Sequence, residues 1–354
     1  MTIGVVIPCY RQERFLPRTL AALDRALAGH DWRGVLVLAA PVETPPPALP
    51  PNWRLIDAPA ASGSGGRVAA APLTPGAARM LGFAACGGEW VLFADADVEV
   101  DEAWMSAAIA VASREPALGG LWGRLEEWFI EGETERPGSR DMYRVGDRER
   151  RSEYLATLAF YRREALAAAG GYDPRLSSEE DFELGLRFAR LGLELRSLGL
   201  RAGRHWSAPR PSFAELGRRW RSGLCFGQGQ VLRLYLGRPA FGRLLRRQAL
   251  YLATLAMWLW GAVALGPAIV QSDPLILASW AMFPLGVIAA MSVQKGSVRL
   301  GILSLLTWTL NGLGMVVGFV GGGSRAGASV GAGPRAEGHD AQESDSHASR
   351  GMRA

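Results

Sequence analysis

Short apolar runs at residues 3–9, 35–40, 53–57 and 90–94 are rich in Val, Ile, Leu and aromatics and read as buried strands. Helical periodicity falls between them, at about 13–28, 75–86 and 101–113, and a further strand is expected at 195–200. This alternation predicts an α/β domain with a parallel, doubly wound sheet and one nucleotide-binding face. The C-terminal third follows another pattern. No Asp, Glu, Lys or Arg occurs from Gln248 to Ser272, from Pro274 to Gln294, or from Leu300 to Ser324. Each stretch reaches the roughly 20 residues needed to cross a bilayer. Trp258, Trp260, Pro267, Trp280, Pro284 and Trp308 fit the aromatic enrichment and proline tolerance of membrane helices. Three transmembrane helices are therefore expected near 249–270, 275–293 and 300–320, the middle one either spanning or re-entrant.

At 354 residues with 49% hydrophobic content, the chain can hold one sizeable globular domain besides these helices. The net charge of +5 does not point to nucleic acid, because arginines gather beside the apolar stretches, where anionic lipid headgroups are the natural counter-charge. Arg233, Arg238, Arg243, Arg246 and Arg247 precede the first stretch and Lys295 and Arg299 separate the second from the third. That bias predicts an inner or plasma membrane protein with its globular part in the cytoplasm. No signal peptide is expected, since Met1 leads almost directly into the first strand. Cys9, Cys86 and Cys225 are too far apart for a zinc pattern, and a cytoplasmic setting disfavours disulfides. Pro41 to Pro51 reads as a proline-rich loop and Ala60 to Ala71 as a flexible one that approaches a phosphate or simply links two elements. Residues 122–153 are charged and weakly periodic, expected as a solvated surface rather than an irregular acceptor-side loop. The tail from 321 to 354 reads as disordered.

Two acidic clusters carry the candidate chemistry. Asp95-Ala96-Asp97 directly follows the apolar run ending at Ala94, so both carboxylates emerge at the carboxyl end of a strand. There they can hold a divalent cation against phosphate oxygens, or serve as turn and cap residues. Glu179-Glu180-Asp181 opens a helical pattern, supplying either a general base for a hydroxyl or favourable charge at a helix N-terminus.

Val5-Val6-Ile7-Pro8-Cys9-Tyr10, Thr74-Pro75-Gly76-Ala77-Ala78-Arg79-Met80-Leu81-Gly82, Gly88 to Asp97, Leu158 to Leu166 and Gly170 to Asp181 occur in the order seen in family-2 inverting glycosyltransferases. The resemblance covers roughly residues 3–225. It implies a GT-A fold, a nucleotide-sugar donor and Mg²⁺ or Mn²⁺. By resemblance, Asp97 binds the metal, Asp95 reaches it through a water or binds the donor at a ribose hydroxyl, and His205 either completes the shell or is only structural. Asp181 is the aligned base, with Glu180 competing. Pro8 and Tyr10 shape the turn beneath the nucleotide, and Arg79 reaches the diphosphate or forms an ion pair. Arg219 and Trp220 resemble the family's Arg-Trp element, for which diphosphate contact and interfacial packing both remain open. Leu216 stands where that element has glutamine, which weakens the case for a processive synthase. Ala39-Ala40-Pro41-Val42-Glu43-Thr44 replaces the acidic pair that meets the nucleobase, leaving Asp57 or Glu43 as substitutes or as turn residues. UDP is the default nucleotide and GDP stays open.

The resulting organisation is a glycosyltransferase domain at 1–225, a basic juxtamembrane segment at 226–248, three membrane helices at 249–320 and a tail. The expected function is metal-assisted inverting sugar transfer to a lipid-linked or envelope-saccharide acceptor at the cytoplasmic face. Transfer to polyprenyl phosphate, a non-catalytic membrane scaffold and a nucleotidyltransferase are the alternatives.

Overall fold

The computed structural model describes residues 1–59, 72–207 and 213–322. The Ser/Gly-rich loop at 60–71 and all but the first two residues of the expected tail lie outside these residues. Along the chain, β1 (Ile3–Cys9) passes through a 3₁₀ turn into α1 (Leu16–Ala26), followed by β2 (Trp32–Leu38) and β3 (Trp53–Asp57). Next come α2 (Pro75–Ala85), β4 (Trp90–Ala94), β5 (Val98–Val100), α3 (Glu102–Arg114), β6 (Gly120–Glu131), β7 (Thr134–Pro137), β8 (Arg150–Arg151) and β9 (Leu158–Arg162). The globular part closes with α4 (Arg163–Ala168), α5 (Glu180–Arg190), β10 (Leu195–Ser207) and α6 (Phe213–Arg221).

All these strands join one ten-stranded sheet whose main path runs β3-β2-β1-β4-β9-β6-β10-β5. The half built from β1 to β4 is parallel, as the alternation of strand and helix predicts. β1 is a continuous Val/Ile run with almost every residue buried, as a strand covered on both faces requires. The other half is mixed: β9 lies antiparallel between β4 and β6, and β5 runs antiparallel to β10. β9 arrives after a long excursion rather than a crossover helix, so nothing forces it parallel.

That excursion corrects the reading of 122–153 as a solvated surface. β6 covers its first third, hydrogen-bonded to β10 on one side and to β7 and β9 on the other. Its alternation is hidden because charged Arg124, Glu126 and Glu127 occupy half-buried positions among buried Leu121, Trp122 and Leu125. The strand expected at 195–200 also runs on to Ser207, after register shifts between Ser197 and Gly203.

Apolar clusters cover both faces of the sheet. One contains Leu16, Leu20 and Leu23 of α1 with Trp104, Met105 and Ala108 of α3. The other gathers Ala78 of α2, Leu166 of α4 and Leu184 and Phe188 of α5. A third joins Leu176, Phe182 and Leu186 to Val231, Leu232, Tyr235 and Leu244, which lie on or beside α7 (Gly227–Leu234) and α8 (Phe241–Arg247).

Three long apolar helices follow: α9 (Ala249–Val270), α10 (Pro274–Lys295) and α11 (Val298–Gly321). Each is long and apolar enough to cross a membrane. α11 returns to the globular part and places Met315 in the third cluster. A Cβ on Gly229 would collide with the Met315 carbonyl, and one on Gly318 with the Phe226 carbonyl, so glycine permits the contact of α7 with α11.

Candidate active site

The acidic pair sits where β4 ends and β5 folds back. The Asp95 amide donates to the Thr157 carbonyl at 3.1 Å, and the Val98 amide to the Asp95 carbonyl at 3.1 Å, closing a tight turn. Thr19 of α1 donates to the Ala96 carbonyl at 2.8 Å, fixing the middle of that turn from below. β5 then pairs antiparallel with β10, Val98 against His205. The next rung, from the Trp206 amide to the Asp97 carbonyl, is 2.8 Å long. This register brings His205 Nε2 to 3.4 Å from Asp97 Oδ1. Ser207 Oγ lies 3.0 Å from the other imidazole nitrogen, and Gln12 donates its side-chain amide to Asp97 Oδ2. Asp97 and His205 are 4% and 8% exposed, so the pair is enclosed by protein.

The second cluster reaches the same place through Arg79. Thr74 caps α2 by accepting from the Ala77 amide at 3.1 Å while donating to the Pro174 carbonyl at 2.6 Å. A Cβ at Gly76 would stand 2.7 Å from the Asp173 carbonyl, so glycine there lets α2 meet the loop before α5. With α2 seated, Arg79 Nη2 donates to Asp95 at 2.9 Å and Nη1 donates to Glu180 at 2.5 Å, and Asp181 Oδ1 stands 3.6 Å from Nη1. The guanidinium also lies 5.2 Å over the Tyr172 ring. Burial works against the Arg79 charge, but Asp181, Asp95 and Glu180 outweigh it and keep the group protonated. Arg79 is thus a buried bridge between the two acidic clusters, with both terminal nitrogens engaged by carboxylates.

Asp181 sits in a buried, acid-rich environment. Burial pushes its carboxyl well above the usual carboxylate range, Arg79 opposes this, and Glu180, Asp95 and Glu179 reinforce it. Its Oδ1 is buried with no hydrogen-bond partner among the described residues. Glu180 is 6% exposed and its Oε1 is held by Arg79. The acids open α5, where the positive end of the helix dipole favours negative charge.

The remaining expected residues spread around this centre. Pro8 closes β1 half-buried, and Tyr10 follows it with 39% exposure. Tyr10 lies within electrostatic reach of Arg218, so α6 approaches the β1 turn. Arg219 on that helix hydrogen-bonds the Cys225 thiol, and the Trp220 ring meets Phe226 edge-on at 5.2 Å. Asp57 ends β3 in register with Leu38, three strands from β4, exposed at the sheet's outer edge.

Gln12, Tyr143, Thr157 and Ser207 join the site without a sequence signal. Tyr143 hydroxyl and Thr157 Oγ1 are 2.5 Å apart, and Thr157, whose carbonyl holds Asp95, has φ +59, a left-handed conformation that non-glycine residues seldom adopt.

Among the described residues, no group of three or more His, Cys, Asp or Glu forms a metal cage. Asp97 and His205 nevertheless present an oxygen and a nitrogen donor side by side. That donor set suits a divalent ion.

Residues 67–169 match the sequence profile of Glycosyl transferase family 2. This chain carries a glycosyl transferase family 2 domain. The matched stretch contains Arg79, Asp95 and Asp97, and its fold is GT-A-like. The mannosyltransferase PcManGT from Pyrobaculum calidifontis, in complex with GDP-Man and Mn²⁺, superposes with a TM-score of 0.56 at 17% identity. That match covers 89% of this chain and 86% of the other. S. aureus TarS 1-349 in complex with UDP-GlcNAc is 14% identical with a TM-score of 0.44, over 91% of this chain and 93% of that one. A longer S. aureus TarS structure is 15% identical with a TM-score of 0.43, over 68% of this chain, which spans only 44% of that one. No curated protein matches the sequence.

Proposed function

We propose that this glycosyltransferase-family domain moves a sugar from a nucleotide-diphosphate donor to an acceptor hydroxyl or phosphate at a membrane surface, by a single inverting displacement. The observation that carries the reading is Arg79, which joins the metal-side acid Asp95 to the base-side acids Glu180 and Asp181 in one buried cluster. Asp97 and His205 would hold Mg²⁺ or Mn²⁺, with Asp95 beside them. Such an ion, when bound, neutralises charge on the departing diphosphate. The Mn²⁺ and GDP-Man in the P. calidifontis mannosyltransferase are consistent with this donor site.

The chain's own residues divide the remaining work. Asp181, as the ionised carboxylate whose proton affinity burial raises, takes the proton from the acceptor hydroxyl as it attacks the anomeric carbon. The side of the sugar opposite the diphosphate must face this acid, which inverts the anomeric centre. Arg79 fixes the spacing of the acids, and Pro8 and Tyr10 floor the nucleotide. Asp57, Arg219 and Trp220 complete the donor pocket in this reading.

Three helices long and apolar enough to cross a membrane support a location at a bilayer, and the arginines before α9 favour the cytoplasmic side. A lipid-linked acceptor, including a polyprenyl phosphate, fits an enzyme held there and suits cell-envelope or exopolysaccharide assembly.

The test is thermal stabilisation of the full detergent-purified chain by UDP- and GDP-sugars, with and without Mn²⁺. One nucleotide class should stabilise the protein only with metal, and Asp97→Ala should erase that shift. A chain that responds to no donor is a scaffold and not an enzyme of this kind.

A further inference from the structure

The helix that carries the acids is bound to the segment that enters the membrane. Glu179, the residue capping α5, has φ +65, a backbone conformation that side chains with a Cβ adopt only when held there. Arg247, the last residue of α8, holds it. Its guanidinium lies 3.9 Å over the Phe182 ring and 5.7 Å over Tyr154, with Nη2 3.6 Å from Glu179 Oε2. Only Gln248, itself buried, separates Arg247 from α9.

Further links run between the same two segments. Tyr235 donates to Glu183 at 3.0 Å. The Ser177 amide donates to Gln230 Oε1 at 2.8 Å, and Gln230 Nε2 returns a bond to Ser177 Oγ at 3.0 Å. Ser178 donates to the Leu224 carbonyl at 2.8 Å. Every partner in this set lies between residues 224 and 247, the block that α11 grips through Gly229 and Gly318.

We propose that Arg247 is a positioning residue: it sets the N-terminal turn of α5, and with it Glu180 and Asp181, relative to the membrane surface. The link follows from the geometry alone, while its consequence for turnover rests on the glycosyl-transfer reading. An arginine suits the task because its planar group can stack on Phe182 and face Glu179 at once, which a lysine cannot reproduce. The acids are then held at one depth relative to the headgroups, so the reacting group of the acceptor must present itself at that depth, as the head of a membrane-embedded amphiphile does.

The experiment is hydrogen–deuterium exchange on the full chain in detergent, comparing the wild type with Arg247→Ala, Arg247→Lys and Arg246→Ala. Exchange is read at the amides from Glu183 to Leu186, the first that α5 protects; the Glu183 amide donates to the Glu179 carbonyl at 2.9 Å. Arg247→Ala should speed their exchange about tenfold, as expected for a local opening. Arg247→Lys should fall between, and Arg246→Ala, an exposed change on the same helix, should leave them unchanged. The thermal shift given by Mn²⁺ with UDP or GDP should be the same in Arg247→Ala as in wild type, while turnover of the active donor falls at unchanged donor KM. Unchanged exchange at α5, or an equal rise across the β1–β4 strands, overturns the proposal. A wild-type chain that turns over no nucleotide sugar overturns the transfer reading alone, since the exchange result still decides the link.

Discussion

Replacing Arg79 with methionine keeps a long apolar stem and removes the one cation shared by Asp95, Glu180 and Asp181. Arg79 is 5% exposed, with contacts of 2.9, 2.5 and 3.6 Å to the three acids. Removing one partner of a buried ion pair costs about 3–5 kcal/mol. The side chains of Asp95 and Asp181 keep 25% and 20% exposure and can draw in water, which sets the expected cost near the lower end, about 3 kcal/mol. At about 2–4 °C per kcal/mol for a domain of this size, Arg79→Met should lower Tm by about 6–12 °C.

The loss has a direction in pH. Without the guanidinium the folded-state pKa of Asp181, already raised, rises further above its unfolded value. An acid raised in this way contributes no penalty below its unfolded pKa of about 4, and the penalty grows as pH climbs through the raised value. The gap between variant and wild type should therefore be widest near pH 8 and narrow towards pH 5. Tryptophan fluorescence during heating in detergent reads it directly, with 12 tryptophans in the chain. A gap under about 2 °C at pH 8, or one that stays constant with pH, would refute the shared-cation account.

Asp181→Asn removes a carboxyl that folding forces above its usual pKa, so it should raise Tm at pH 7.5, with the gain shrinking towards pH 5. The same variant should bind Mn²⁺ and nucleotide normally and lose about 10²-fold or more in transfer rate; wild-type turnover in Asp181→Asn would move the base to Glu180. Gly318→Leu drives a side chain into the Phe226 carbonyl and should cost about 1–3 kcal/mol, visible as a lower Tm and faster proteolysis. Gly266→Leu, with no atom within 4 Å of the added Cβ, should leave both unchanged.

The parallel half of the sheet was readable because a strand buried on both faces has to be an uninterrupted apolar run, as β1 and β4 are. The three apolar helices were readable for a similar reason, since lipid tolerates no interior charge. β6 was not, because its half-buried positions accept Arg124, Glu126 and Glu127, and side-chain polarity then no longer alternates cleanly. At the site, acids announce themselves by type and spacing, which exposed Asp95, Asp97, Glu180 and Asp181. What joins them is long-range: Arg79 lies 101 residues from Glu180, and no local pattern in its helix separates a bridge from a phosphate ligand. Thr157 carries no mark at all of its left-handed backbone, since threonine is a poor choice for it on intrinsic grounds.

The three long apolar helices differ in what they touch. Within the protein, 6% of the apolar window of α10 is buried, against 44% for α11. A helix surrounded by lipid answers to bilayer thickness more than to neighbours, so α10 is free to drift among Leu, Ile, Val and Phe and to gain or lose residues. α11 has no such liberty, because its glycines lock it to α7 and through α7 to the acids. Adaptation to a thicker or thinner membrane would thus rewrite the middle helix first and leave the third almost untouched. The three helices differ in kind: one is packed into the globular domain and another stands almost clear of it.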